Sequence, residues 1–284
     1  MKIFYSTGLH YKHQQCRQEE RIKRLNQRKG VDFTSERKFG SGNNINKADV
    51  MVTFQKSQRE SYEDYLNRSI PTYYINLSTY PKLDSVTDIE SKNFSETRKN
   101  FLWFGGSGLV SKGLDITLDI FKNFDDINLF VAGPVEGNEE FIDTYYNEIY
   151  DTNNIEFLGF VDITGNRFEN MVNECAYHIY PTAVDPLSSS VATCMRAGLI
   201  PIAPSNPVSG IENWGISLKN TSLEHIEETV RDCASKDPKE VQSLSKIARQ
   251  KANSDFTRPR FSQDLHSALI DILIDKNNSY QRDP

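Results

Sequence analysis

Residues 101–124 read as an apolar strand, a turn carrying Gly105, Gly106 and Gly108, the pair Lys112-Gly113, and then an amphipathic helix. A strand feeding a helix in this way is the repeating unit of a sheet covered by helices. Glycines let the backbone approach a bound group closely, and successive N–H groups of such a turn can point into one concavity. The helix start that follows adds the positive end of its dipole, and Lys112 adds a full charge. The segment suits an anion, with a diphosphate as its natural occupant. A plain strand-to-helix join is the competing reading.

A second join of the same kind spans residues 177–204. It reads as a strand at 178–180, a loop at 181–187, a helix at 188–197, Gly198 as its stop and a new strand at 199–203. Ser188, Ser189 and Ser190 occupy N-capping positions, where hydroxyls and N–H groups face outward. Asp185 precedes them, and Val191 and Thr193 lie inside the helix. A capped helix without a ligand accounts for the same residues.

Both joins resemble segments of nucleotide-sugar glycosyltransferases of the GT-B fold, group 1, also called glycosyltransferase family 4. FGGSGLVSKGLDITLDIF (104–121) resembles the family's glycine loop, Lys-Gly pair and helix. INLFVAGP (127–134) and NIEFLGFVD (154–162) resemble the next strands and turns. YPTAVDPLSSSVATCMRAGLIPI (180–202) resembles the segment holding two glutamates eight positions apart. Here Asp185 stands for the first of them and Thr193 for the second, while Pro186 and Leu187 replace small residues. Asp is one methylene shorter than Glu, and a threonine hydroxyl cannot accept two ribose hydroxyls as a carboxylate does.

The resemblance implies an α/β, GT-B-like architecture: a complete C-terminal Rossmann-like donor domain, a parallel sheet with helices on both faces, beside a truncated N-terminal Rossmann-like domain. It implies a partial acceptor-side domain and linker over 1–96, a nucleotide-sugar-binding domain over 97–257, and over 258–284 a helix packing back on the body with a short tail. KIFYSTGLH resembles a family strand that ends near the reacting sugar and places His10 there; ADVMVTFQKSQRES resembles the strand and helix after it. The chain would then start about halfway through a normal N-terminal domain, leaving room for a second chain to complete it.

Carried over residue by residue, the catalytic set is His10, Lys112 and Asp185. Gly105, Gly106, Ser107 and Gly108 form the phosphate loop with Lys112. Ser188, Ser189, Ser190 and Val191 form the helix start at the distal phosphate, and Asp185 meets the sugar hydroxyls. Gly133, Pro134, Phe160, Val161 and Thr193 form the base and ribose wall. Each has a plainer reading: Lys112 as an exposed lysine before a helix, the serines as caps, Gly133 and Gly159 as strand-end turns, His10 as a loop histidine. Trp103, Phe104 and Tyr180 read as core aromatics. Many relatives carry Arg near Ser107, so its absence puts more weight on Lys112 and the helix starts.

The implied reaction moves a sugar from a UDP-, GDP- or similar donor to an acceptor hydroxyl of a glycan or lipid-linked acceptor, in surface-glycan synthesis, without metal or other cofactor. Fixed donors aimed at the leaving diphosphate lower its barrier. A degenerate GT-B protein that binds nucleotide sugar without turnover, or needs a separate N-terminal half, is the alternative. A sugar-nucleotide epimerase is disfavoured by the carboxylate-poor loop, and a phosphate-loop NTPase by the missing Gly-Lys-Ser/Thr arrangement.

Composition fits this. The net charge of −6 over 284 residues argues against a broad nucleic-acid surface. No apolar run reaches the ~20 residues of a membrane span, and Met1-Lys2 leads into no signal-peptide core. Cys16, Cys175, Cys194 and Cys233 lack metal-ligand spacing and fit reduced thiols. A cytoplasmic protein is expected, with a peripheral place at the inner membrane face as a variant.

Before residue 100 the pattern predicts a strand at 2–7, an exposed charged helix at 14–28 stopped by Gly30, a loop at 40–46, a strand at 48–54, a helix near 57–66 and a strand at 71–76. Residues 78–99 read as a polar linker. Phe261, Leu265, Leu269, Ile272 and Leu273 fall at helical spacing on one face, and 277–284 read as a frayed tail.

Overall fold

The computed structural model describes residues 1–34, 37–40 and 43–280. A smaller sheet takes β1 (Ile3–Tyr5), β2 (Val50–Thr53) and β3 (Thr72–Tyr74) in that order. The larger sheet is built from β4 (Asn100–Phe104), β5 (Asn128–Ala132), β6 (Ile155–Gly159), β7 (Tyr177–Ile179), β8 (Ile200–Pro204) and β9 (Ile216–Leu218). Its order is β6-β5-β4-β7-β8-β9, and the pairings in both sheets are parallel. The helices are α1 (Tyr11–Lys29), α2 (Lys56–Leu66), α3 (Phe94–Thr97), α4 (Leu114–Phe121) and α5 (Glu139–Tyr150), then α6 (Asn166–Glu174), α7 (Ser189–Arg196), α8 (Leu223–Ser235), α9 (Pro238–Asp255) and α10 (Arg258–Tyr280).

A parallel sheet is covered on both faces, so its strands are apolar without alternation. Phe101, Leu102 and Trp103 are accordingly all inaccessible. Helix α4 is buried on every side, Asp115 and Asp119 included. The order of the larger sheet fixes where a ligand can sit. The chain starts at the central β4, winds outward to β6, then crosses back to β7 on the other flank of β4. The connections that follow β4 and β7 therefore lead to opposite flanks of the sheet, and an open α/β sheet binds its ligands in the crevice at that reversal.

Helix α1 differs from the exposed helix expected at 14–28. Gln18, Arg21 and Leu25 form a buried stripe, and Leu25 and Phe33 join the core of the larger sheet. Charge complementarity explains how so polar a helix packs. Arg28 lies 2.8 Å from Asp115 and 2.7 Å from Asp119, and Lys29 lies 2.6 Å from Glu148. Burial pushes the Asp119 and Glu148 carboxyls up, but the paired Arg28, Lys29 and Lys122 outweigh it and hold both below their ordinary values. Gly30 ends the helix in the left-handed region, at φ 68°, as its sequence position predicts.

Residues 78–99 are no loose linker: Leu83, Ile89 and Phe94 are buried, and α3 falls within the segment. Residues 41 and 42 of the expected 40–46 loop lie outside the described residues, while Asn43–Lys47 forms a 3-10 turn. Helix α10 returns to the smaller sheet, where Ala268 and Ile272, with Phe261 and Leu265, pack on Val52 and Ile75. Leu269 and Leu273 of the expected face are instead exposed, because the buried stripe runs 261, 265, 268, 272. The helix continues to Tyr280, through the start of the expected tail; residues 281–284 lie outside the described residues.

Candidate active site

The loop after β4 and the loop after β7 meet at Gly113. This glycine has φ 80°, and a Cβ here would lie 2.6 Å from the Pro181 carbonyl oxygen, so only glycine allows the approach. The Ala183 N–H donates to Ser111 O at 2.9 Å, and Trp103 Nε1–H to Lys112 O at 3.3 Å. A neighbouring close approach brings the backbone of Gly133, after β5, against the Gly105 carbonyl. Three strand ends thus share one crevice.

Lys112 reaches over this backbone. A Cβ on Gly106 would lie 3.5 Å from its ammonium, and the same ammonium is 3.9 Å from Asp185 Oδ2. Asp185 is held from behind: its N–H donates to Thr182 Oγ1 at 3.0 Å, and the Tyr180 hydroxyl donates to its Oδ2 at 2.6 Å. Burial, then the Asp185 charge, pushes the Tyr180 phenol well above its ordinary pKa, so it remains a donor. Beneath Tyr180 lies His178, with ring centroids 5.3 Å apart and Nε2 3.2 Å from Phe104 O. Burial lowers the pKa of His178 to about 4, which keeps this ring neutral.

Helix α7 starts opposite. Ser188 is its cap, the hydroxyl accepting from the Val191 N–H at 3.2 Å. Two adjoining hollows open between the loops and this helix start. One, of about 500 Å³, is lined by Gly106, Lys112, Asp185 and Ser188 through Ser190. The other, of about 640 Å³, is lined by Gly105, Gly106, Gly133, Pro134, Phe160, Val161 and Thr193, and shares Ser189 and Ser190 with the first. The predicted residues from four separate segments are therefore brought together. Phe160 is 75% exposed, an unusual position for an apolar ring and one suited to stacking.

Four predicted residues stand apart from these walls. Ser107 points to solvent, and Gly108 makes the turn at φ 87°. Val191 is buried beneath its cap. His10 is inaccessible and lines neither hollow: its Nδ1 accepts from the Lys12 N–H at 3.4 Å, and its ring stacks on Tyr65 at 3.9 Å. Burial, with His13 and Lys12 nearby, lowers its pKa to about 4. The histidine thus sits where a helix cap belongs, because α1 begins at Tyr11, earlier than the charge pattern predicts.

Several wall residues escaped the sequence reading. Phe104 lines the second hollow and Tyr180 the first, so neither is solely a core aromatic. Tyr5, Phe54 and Phe261 form an aromatic end of the first hollow, and Arg258 lines the second. Arg258 and Phe261 come from α10, and only the crossing of that helix between sheets brings them here. No local pattern signals such a crossing.

Among the described residues no helix is long and apolar enough to cross a membrane. No protein-family model matches the chain, and no curated protein matches it. Solved structures do. Sucrose-phosphate synthase from Thermosynechococcus elongatus superposes with a TM-score of 0.65 at 14% identity, over 96% of this chain and 68% of that one. WaaG, a glycosyltransferase involved in lipopolysaccharide biosynthesis, gives 0.60 at 14% identity, over 95% and 74%. Anabaena HepE in complex with UDP-glucose gives 0.59 at 12% identity, over 79% of this chain and 64% of HepE. The chain thus spans slightly under two thirds of the length of HepE. Two parallel sheets, a crevice at the strand-order reversal of the larger one, and these likenesses along most of its length identify the chain as a GT-B-fold protein.

Proposed function

We propose that the chain is a glycosyltransferase that uses a nucleoside-diphosphate sugar. The observation that carries this reading is the first hollow, which Lys112, Asp185 and the start of α7 line together at the strand-order reversal. An ammonium, helix-start N–H groups and hydroxyls facing one space are the chemistry of a diphosphate site. The likeness to HepE, solved with UDP-glucose, supports a UDP-sugar as the first donor to try.

In this reading the diphosphate lies between Lys112 and Ser189-Ser190, and the nucleoside occupies the second hollow against Phe160. Asp185, oriented by Tyr180, meets the sugar hydroxyls. Arg258 supplies the cation that the loop lacks at Ser107. Charge that builds on the leaving diphosphate falls to Lys112, Arg258 and the α7 dipole, so the step requires no divalent ion. Tyr5, Phe54 and Phe261 form the acceptor end, suited to a glycan or lipid-linked acceptor in surface-glycan synthesis at the cytoplasmic membrane face. His10 acts through the start of α1 rather than on the sugar.

A second reading, donor binding without turnover, is favoured by one observation. Asp185 already accepts a 2.6 Å hydrogen bond from Tyr180 and is followed by buried Pro186 and Leu187, which restrict its reach. Incubation with a panel of UDP- and GDP-sugars, with and without glycan acceptors, tests both. Donor hydrolysis or transfer supports catalysis, binding alone supports the second reading, and no binding removes both.

A further inference from the structure

Helix α1 reaches across to the loop that carries Asp185. Arg17 Nη1 donates to Ala183 O at 3.0 Å, and Arg21 Nη2 donates to Pro181 O at 2.6 Å. One helical turn separates the two arginines, so they project from one face of α1. The carbonyls they hold flank Thr182, which is 1% exposed and whose hydroxyl accepts from the Val184 and Asp185 N–H groups at 3.2 and 3.0 Å. From the other side, the Ala183 N–H ties this loop to Ser111, next to Lys112. Asp185 therefore leaves a turn that is held from two directions.

Helix α1 is a firm base for these contacts, because both of its ends are seated elsewhere. At its start the His10 N–H donates to Ser61 Oγ on α2 at 2.9 Å, and at its end Arg28 and Lys29 pair with acids of α4 and α5. Arg17 also spans to the loop after β8, where Nη2 donates to Asn206 Oδ1 at 3.1 Å. Stability alone gives a poor account of the two guanidinium-to-carbonyl bonds. A charge withdrawn from water toward a neutral carbonyl adds little net energy, and Leu25 with the acid pairs already anchors the helix. What the rigid guanidinium forks do fix is the place of the turn.

We propose that Arg17 is a positioning residue for recognition of the donor sugar: through the Ala183 carbonyl it holds the 181–185 turn so that Asp185 meets the sugar hydroxyls. Arg21 holds the other side of the same turn. The proposal rests on the reading of the first hollow as the donor site. Its effect is confined to the sugar. The diphosphate would meet Lys112 and the start of α7, which are held by Trp103 and by the Ser188 cap.

The test is calorimetric titration of the full chain with UDP and with UDP-glucose, using Arg17→Ala, Arg17→Lys, Asp185→Ala and the Arg17→Ala, Asp185→Ala double variant. Arg17 is half-buried, so water can replace it at the Ala183 carbonyl and the variants keep the fold. Arg17→Ala is expected to weaken UDP-glucose at least about fivefold, the net value of one hydrogen bond, and to leave UDP within about twofold. Arg17→Lys, which keeps a charged donor for one carbonyl, recovers part of the loss. With Asp185 already removed, Arg17→Ala has no further effect, because residues that act through one contact are not additive. An unmoved ratio of UDP-glucose to UDP affinity in Arg17→Ala, or additive losses in the double variant, overturns the proposal and leaves the donor site standing. A chain that binds neither ligand overturns the donor site and this proposal with it.

Discussion

At the scale of single residues, the proposed donor site turns on the charge of Lys112. It is largely withdrawn from solvent, with its side chain 12% exposed, and its ammonium faces the Gly106 backbone. Lys112→Ala is expected to weaken UDP binding by about 1.5–3 kcal/mol, the scale of a hydrogen bond to a charged group. Titration calorimetry with UDP measures this, and an unchanged dissociation constant removes Lys112 from the site. Tyr180 makes a different prediction. Its hydroxyl donates to Asp185 and also interacts with the cap Ser188, whereas the proposed diphosphate position is between Lys112 and Ser189-Ser190, so Tyr180→Phe should leave UDP affinity alone. It should weaken a UDP-hexose by about 1 kcal/mol, the net value of one hydrogen bond. Equal effects on UDP and UDP-hexose would mean that Asp185 does not read the sugar.

At the scale of elements, acid should loosen the fold in two separate windows. The strand β7 carries His178, whose folded pKa, about 4, lies below its ordinary 6.5. The unfolded chain therefore binds this proton first, and the stabilising contribution is full above pH 6.5 and lost as pH falls toward 4. Asp119 on α4 and Glu148 on α5, both held below ordinary values by partners on α1 and by Lys122, contribute above about pH 4 and lose that contribution below it. A melting temperature that declines from pH 6.5 downward, with a shallower slope over pH 6.5–4 in His178→Gln, is the expected result. Identical slopes in the two proteins would show that His178 is not the group being titrated. The same elements show what a sequence can disclose. The glycine-lysine loop and the serine-capped α7 were legible because local chemistry, turn glycines and capping hydroxyls, dictates local structure. Helix α1 was misread as exposed because its burial comes from acids on α4 and α5, about a hundred positions further along, which no helical periodicity can register.

For the whole molecule, the crevice floor was readable and its far wall was not. Lys112 and Asp185 lie on loops of one sheet and Ser189 at the helix start that follows, and the alternation of strands and helices places such joins at one end of it. Tyr5 reaches the first hollow from the smaller sheet, and Arg258 reaches the second only because α10 crosses between the sheets. That crossing, with α1 lodged in the larger core, ties the two sheets together in both directions. Leu25 is inaccessible within the larger core, and Ile272 is 1% exposed against the smaller sheet. A chain laced in this way should unfold as one cooperative unit rather than lobe by lobe. Leu25→Ala and Ile272→Ala are each expected to cost about 2–5 kcal/mol, the range for truncating a buried leucine or isoleucine. Scanning calorimetry should show one transition in each variant, shifted down without splitting. A second, early transition in Ile272→Ala would mean that the smaller sheet melts by itself. The walls contributed by Tyr5 and Arg258 would then be held to the crevice more loosely than donor binding in a preformed site requires.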